Sequence, residues 1–232
     1  MSDEQTRLKQ QAADAAVDEV RSGMVVGLGY GSTALLFVRS LAKKVAAGEL
    51  TDITGVACAL AMETEARSLG LKVSSLDEHP VMDLTVDGAD EVDPALNLIK
   101  GGGGALLREK VVAQASKREI IIVDESKMSQ RLGDKWALPV EVVPFALRPV
   151  SGYVASLGAA VKLRLLEGGQ PLVTDQGNWI IDCNFGPMDD PAAVARSLEG
   201  RAGLVEHGLF LGLASEVIVA EARGIRRITR PR

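Results

Sequence analysis

Three short segments of this chain concentrate side chains whose chemistry goes beyond packing. In one, Lys100 precedes Gly101, Gly102, Gly103 and Gly104, and a strongly helical run, Ala105-Leu106-Leu107-Arg108-Glu109-Lys110, follows. Consecutive glycines cost backbone entropy, so a chain keeps them where it must approach a ligand closely or turn with positive φ. Ala105 and Ala113 fall one turn from Glu109 on the same helix face, and such small neighbours leave space above the carboxylate. A Glu between Arg108 and Lys110 also fits an ordinary surface position. In the second segment, Asp87-Gly88-Ala89-Asp90-Glu91 directly follows the apolar run Leu84-Thr85-Val86. Carboxylates gathered at the end of a strand are costly unless a polyhydroxylated ligand, a cation or a nearby Lys uses them; the alternative is a solvated acidic turn.

The third segment is Gly27-Leu28-Gly29-Tyr30-Gly31-Ser32-Thr33, placed where a strand gives way to a helix. Exposed amides at a helix start attract anions, and glycines let the backbone come close. Tight strand–helix packing would call for glycines as well. The hydroxyls of Ser32 and Thr33 favour a small monophosphate. A dinucleotide would need G-x-G-x-x-G with an acidic residue about 20 positions further on. Position 32 is Ser instead, and Ile53-Thr54-Gly55-Val56-Ala57 holds no carboxylate. There is no P-loop either, so a dinucleotide-dependent oxidoreductase is disfavoured.

The elements that must carry these segments read as an α/β protein. Leu8, Ala12, Ala13, Ala16, Val17 and Val20 repeat at helical spacing over 4–21. Met24 to Leu28 reads as a buried strand, Ser32 or Thr33 opens a helix to about Ala47, and the unit recurs as strand 52–58 and helix 61–69. Strands 72–76 and 83–86, helix 104–117 and strand 120–123 follow, and 217–220 reads as a strand returning to the main sheet. Alternating buried strands and helices imply a doubly wound, mostly parallel, Rossmann-like sheet, whose ligands bind beyond the carboxyl ends of the strands. After Gly133 the prolines at 139, 144 and 149 punctuate the chain. Helix 150–158, strands 161–166 and 179–183 and helix 190–199 then suggest a smaller α+β domain. The expected division is 1–133 plus 207–232 for the main catalytic domain and 134–206 for the small one.

Composition limits the partners. Of the 232 residues 47% are hydrophobic and 25% charged, with a formal net charge of -5. That charge opposes binding to nucleic acid, and no apolar run reaches the roughly 20 residues of a membrane helix. The opening Met1-Ser2-Asp3-Glu4-Gln5 has neither the basic nor the apolar part of a secretory signal, and two cysteines outside any CxxC pair suit a reducing compartment, so a cytoplasmic location is expected. His79 and His207 stand alone and read as structural; no metal site and no cofactor are expected. The basic tail from Arg223 to Arg232 reads as a solvated or frayed terminus.

Taken together, GLGYGSTA, DGADE, KGGGGALLREK, DESK and PVEVVP stand in the order and spacing of the A-type ribose-5-phosphate isomerases, and the chain resembles that family through TDQGNWIIDC and LVEHGLF as well. The resemblance implies a doubly wound main domain, an inserted ferredoxin-like α+β domain with a role in oligomerisation, and a homodimer or homotetramer. It also implies cofactor-free interconversion of ribose 5-phosphate and ribulose 5-phosphate in the pentose phosphate pathway. Glu109 matches the general base. Asp87 and Asp90, with Gly88 and Ala89 between them, match the loop that binds the sugar hydroxyls, and Asp87 also matches an aid to ring opening. Lys100 matches the cation near the enediolate, with Gly101, Gly102 and Gly103 beside it. Tyr30, Gly31, Ser32 and Thr33 match the ligand-binding turn, and Lys127 and Lys9 match basic positions near the phosphate or sugar. Two departures stand out: Tyr30 replaces the usual Thr, and Ala57-Cys58-Ala59-Leu60-Ala61-Met62 replaces a stretch typically rich in Ser and Thr. Each lost hydroxyl removes a hydrogen bond worth about 0.5–1.5 kcal/mol, so proton-transfer chemistry is expected to persist while phosphosugar binding is altered. A non-catalytic phosphosugar sensor of the same fold and an isomerase for another phosphosugar are the alternatives.

Overall fold

The structure, a computed structural model, describes residues 3–230. Its elements run α1 (Asp3–Val17), β1 (Val25–Leu28), α2 (Ser32–Ala46), β2 (Thr54–Ala57), α3 (Leu60–Ser68), β3 (Lys72–Ser74) and β4 (Leu84–Asp87). Next come β5 (Glu91–Val92), β6 (Leu98–Ile99), α4 (Leu106–Gln114), β7 (Glu119–Asp124), β8 (Leu138–Val142) and α5 (Leu147–Ser156). The chain ends with β9 (Ala160–Leu163), β10 (Trp179–Asn184), α6 (Pro191–Leu198), β11 (Leu204–His207), β12 (Leu209–Phe210), β13 (Glu216–Glu221) and β14 (Gly224–Thr229). Among the described residues one compact unit takes up 3–89, 108–127 and 212–230, the other 90–107 and 128–211. No helix among them is long and apolar enough to cross a membrane.

In the first unit a seven-stranded sheet has the order β14-β13-β7-β4-β1-β2-β3. All its neighbours pair in parallel except β13 with β14. Parallel strands are covered on both faces, which is why β7 can be Glu-Ile-Ile-Ile-Val-Asp with every residue buried. β13 returns beside β7, as expected for 217–220. The basic tail departs from its expectation. Residues 224–229 form the antiparallel edge strand β14, and Arg227 anchors it by ion pairs to Glu19 and Glu216 at 2.7 and 2.9 Å. The charge run that suggested a frayed end is the exposed side of a sheet edge, where basic side chains discourage further strand pairing. Pro231 and Arg232 of that tail, and Met1 and Ser2 of the opening, lie outside the described residues.

The second unit holds a four-stranded antiparallel sheet of order β11-β8-β10-β9. In chain order β8, α5, β9, β10, α6 and β11 make βαββαβ, the ferredoxin-like arrangement. The expected αββα core is therefore present but lacks its first and last strands in the sequence reading. Pro139, one of the prolines that punctuate this stretch, has no N–H to give to a ladder, yet it lies within β8. Here it lies opposite Asp182, and its carbonyl accepts the Gly208 N–H at 2.8 Å. A three-stranded sheet, β12-β6-β5, brings 90–107 into this unit, a grouping that boundaries at 134 and 206 do not include.

Inside the second unit Glu141 is buried on β8. Thr174 Oγ1 and Asn178 Nδ2 donate to its Oε1 at 2.8 and 2.9 Å, but its Oε2 has no hydrogen-bond partner. Burial pushes its carboxyl above the usual glutamate value, against the pull of those two donors and with help from Glu206 and Asp175. The folded chain thus holds this proton more tightly than the unfolded chain. The resulting stability is whole below the ordinary glutamate pKa and is lost as pH rises through the raised value. Glu141→Gln cannot ionise, so it is expected to raise the thermal midpoint by a few degrees near neutral pH and to change it little in mild acid. Thermal denaturation at both pH values checks this, and an equal shift at both would assign the effect to something other than ionisation.

Candidate active site

The strand order of the parallel sheet reverses between β1 and β4, and the crevice beyond the carboxyl ends at such a point is where open α/β sheets hold ligands. The glycine turn leaves β1 there and the acidic loop leaves β4. Gly29 N donates to Val86 O at 3.0 Å, so the two segments touch. A Cβ on Gly29 would sit 2.2 Å from Asp87 Oδ1 and 2.6 Å from Asp87 Cα, which only glycine avoids. The Asp87 Oδ1 accepts the N–H groups of Tyr30 at 3.0 Å and of Gly88 at 2.7 Å, and the residue is buried. Gly29→Ala must displace Asp87. It is expected to cost about 1–3 kcal/mol in stability, as overpacking does. Circular dichroism should show the fold retained with a lowered thermal midpoint, and an unchanged midpoint would contradict the contact.

Glu109 lies in the first turn of α4 and is 5% exposed. The Arg108 Nη2 donates to the Ala57 carbonyl at the end of β2, 3.4 Å away, so the helix start meets the residues before Cys58. One ligand atom each from Cys58, Asp87 and Glu109 lies within 4.8 Å of the others, and all three residues are buried. Two carboxylates from separate segments thus share one low-dielectric position, an arrangement suited to acid–base work. It is also the one group of three potential metal ligands among the described residues.

A basic corner stands at the start of α2. The Lys9 Nζ, on α1, donates to Ser32 Oγ at 2.9 Å. Burial holds the Lys9 ammonium below the usual lysine value; Asp124 opposes this and Lys127 adds to it. Two ammonium groups, a hydroxyl and the positive end of a helix make a place where a dianion relieves unfavourable charge. Gly31 and Ser32 are exposed there, and Thr33 is half-buried. The Tyr30 ring packs against the apolar cluster of Val56, Cys58, Met82 and Val112, so its contribution to the turn is its backbone N–H.

In the second unit the Asp90 Oδ2 accepts the Gly102 N–H at 2.7 Å, and a Cβ on Gly102 would fall 2.5 Å from Asp90 Oδ1. Lys100 is fully buried, its Nζ 5.4 Å from the centre of the Phe210 ring. Arg164 on the chain after β9 donates to the carbonyls of Gly101 and Gly102 at 2.7 and 3.0 Å, and its other nitrogens pair with Asp182. Gly103 is exposed beside them.

The expected residues thus fall into three groups. Tyr30, Asp87, Gly88 and Glu109 meet around the crevice, Lys9, Ser32 and Lys127 around the basic corner, and Asp90, Lys100, Gly101 and Gly102 around the glycine loop. Ala89 closes the first stretch of the first unit, and Asp90 opens the first stretch of the second. Sequence reasoning missed Arg164 and Cys58. An Arg in Lys162-Leu163-Arg164-Leu165 gives no signal of its own, and Cys58 was taken only as one of several replaced hydroxyl positions. His207, read as structural, is buried, and its Nδ1 accepts the Leu209 N–H at 3.3 Å.

The family model of ribose 5-phosphate isomerase A (phosphoriboisomerase A) matches residues 54–224. The chain is 55% identical over 221 residues to ribose-5-phosphate isomerase A of Chloroflexus aurantiacus, covering 95% of this chain and 92% of that one. To the protein of the same name from Desulfatibacillum aliphaticivorans it is 56% identical over 224 residues, covering 97% of each. Among solved structures, ribose 5-phosphate isomerase A of Methanocaldococcus jannaschii superposes with a TM-score of 0.92 at 37% identity, covering 98% of this chain and 100% of that one. A D-ribose-5-phosphate isomerase in complex with phospho-erythronic acid superposes with a TM-score of 0.95, also at 37% identity, over 99% and 100%. With the switch-point crevice, the ferredoxin-like insertion and near full-length matches all in agreement, the chain belongs to the ribose-5-phosphate isomerase A family.

Proposed function

We propose that this chain interconverts D-ribose 5-phosphate and D-ribulose 5-phosphate, the aldose–ketose step of the non-oxidative pentose phosphate pathway. The observation that carries this reading is the buried pairing of Glu109 with Asp87 at the strand-order reversal. Glu109 takes the proton from C2 of the open-chain aldose, electrons move onto the carbonyl oxygen, and an enediolate forms. Return of that proton from Glu109 to C1 and passage of the O2 proton to O1 give the ketose. Carbon acids of this kind are weak, so the base needs a charge that stabilises the oxyanion as it develops. Lys100 is assigned that role. Asp87 and Asp90 hold the sugar hydroxyls, and Asp87 assists opening of the ring. Lys9, Ser32, Thr33 and Lys127 take the phosphate. Atoms are only rearranged, so the stoichiometry calls for no cofactor.

Phospho-erythronic acid, the ligand of one related structure, has chemistry that supports the assignment. Its carboxylate offers two oxygens on a planar, charged centre, much as an enediolate does. The experiment is incubation with ribose 5-phosphate without any cofactor while ketose formation is followed. Turnover with ordinary saturation would retire the expectation of altered binding that came from the missing hydroxyls of 57–62. Binding without turnover would instead favour a phosphosugar sensor, the reading those same replacements support. We also assign the protein to the cytoplasm and to a homodimer or homotetramer built through the smaller unit. Light scattering on the purified chain tests the second assignment.

A further inference from the structure

We infer that Cys58, Asp87 and Glu109 form a binding site for a thiophilic divalent cation of the zinc class, and that an ion held there blocks turnover. The blocking half rests on the isomerase reading above; the site itself does not. A Cys sulfur with two carboxylate oxygens is a three-ligand set for Zn2+, leaving a fourth position for water or a substrate oxygen. Bond lengths of about 2.3 Å to sulfur and 2.0–2.2 Å to oxygen put tetrahedral donors roughly 3.5 Å apart. The three ligand atoms here already lie within 4.8 Å of one another. Closure therefore asks for side-chain adjustments of about an ångström, without a backbone move.

One of the donors is also oriented. The Asp87 carboxylate is fixed by two backbone N–H groups, from Tyr30 and Gly88. Outer hydrogen bonds of this kind set ligand direction in metal sites. A thiolate favours zinc and cadmium over magnesium, calcium or manganese, so hard cations would not compete. On binding, the Cys58 thiol gives its proton to solvent, and Glu109 spends its lone pairs on the ion instead of on a carbon-bound proton. The other thiol, Cys183, is buried in the second unit and pushed up to about 12, chiefly by burial. It serves as the control.

The test titrates the purified full chain with Cd2+, following the ultraviolet cadmium–thiolate charge-transfer band, then displaces the cadmium with Zn2+. Turnover of ribose 5-phosphate is measured in parallel with Zn2+ present and after EDTA. The expected result is one equivalent of band in the parent and in Cys183→Ala, none in Cys58→Ser or Cys58→Ala, and Zn2+ inhibition that EDTA reverses. Cys58→Ser is expected to turn over and to need at least roughly 100-fold more Zn2+ for half inhibition, and Glu109→Gln to bind Cd2+ roughly 10–100-fold more weakly. No band in the parent, a band surviving without Cys58, or unchanged affinity in Glu109→Gln would overturn the three-donor site. A bound ion that leaves turnover intact would overturn the blocking. A band with no turnover in any form would keep the site and remove the isomerase reading instead.

Discussion

Glu109→Gln is expected to lower kcat for ribose 5-phosphate by about 10²–10⁴-fold, the range general acid–base catalysis supplies, with KM nearly unchanged. In barrier terms that is about 3–5.5 kcal/mol. The amide keeps the shape and the burial of a side chain that is 5% exposed, but it cannot take a proton from carbon. Because the sugar hydroxyls and phosphate are assigned to other residues, ground-state binding should survive. Steady-state kinetics and calorimetric binding of the aldose phosphate separate the two effects. A variant that keeps kcat, or that loses binding and rate in equal measure, would move the base elsewhere.

Lys100→Met is expected to cost about 10²–10³-fold in kcat, comparable to removing one oxyanion-stabilising donor. The methionine fills much of the space of a side chain that is 2% exposed, against the Phe210 ring, so the fold should stand. What disappears is the positive charge. The loss should fall on kcat and on kcat/KM alike, since the charge is needed only once the oxyanion develops. An analogue with a carboxylate in place of the C1–C2 unit should also bind more weakly to this variant, while ribose 5-phosphate binds almost as before. Equal loss for both ligands would make Lys100 a general anchor for the sugar and not a stabiliser of the transition state.

Much of the parallel sheet was legible because strands such as β1 and β7 are short runs rich in β-branched residues that need no distant partner to be recognised. Ile120 to Val123 could hardly be anything else. The candidate site residues stood out for a different reason: glycines at Gly29 and Gly102 and carboxylates at Asp87 and Asp90 have a chemical cost that packing does not explain, and the structure places each glycine against one of those carboxylates. What stayed hidden depends on pairing between remote segments. β5, β6 and β12 are two residues each and exist only as one another's neighbours. β8 carries a proline, and β14 carries the charges of a tail. Cys58 and Arg164 are ordinary in their local sequence and acquire meaning from Glu109 and from the Gly101 and Gly102 carbonyls across the fold.

If Glu109 carries a proton between adjacent carbons, hydrogen from solvent must enter both sugars. The unmutated protein is incubated with ribose 5-phosphate in deuterium oxide, well past equilibrium, and both sugars are recovered. Deuterium at C2 of the aldose and at C1 of the ketose, absent with Glu109→Gln, is the predicted result. Full interconversion with no solvent hydrogen in either sugar, the outcome of a direct hydride shift between the carbons, would rule out Glu109 as an exchanging base.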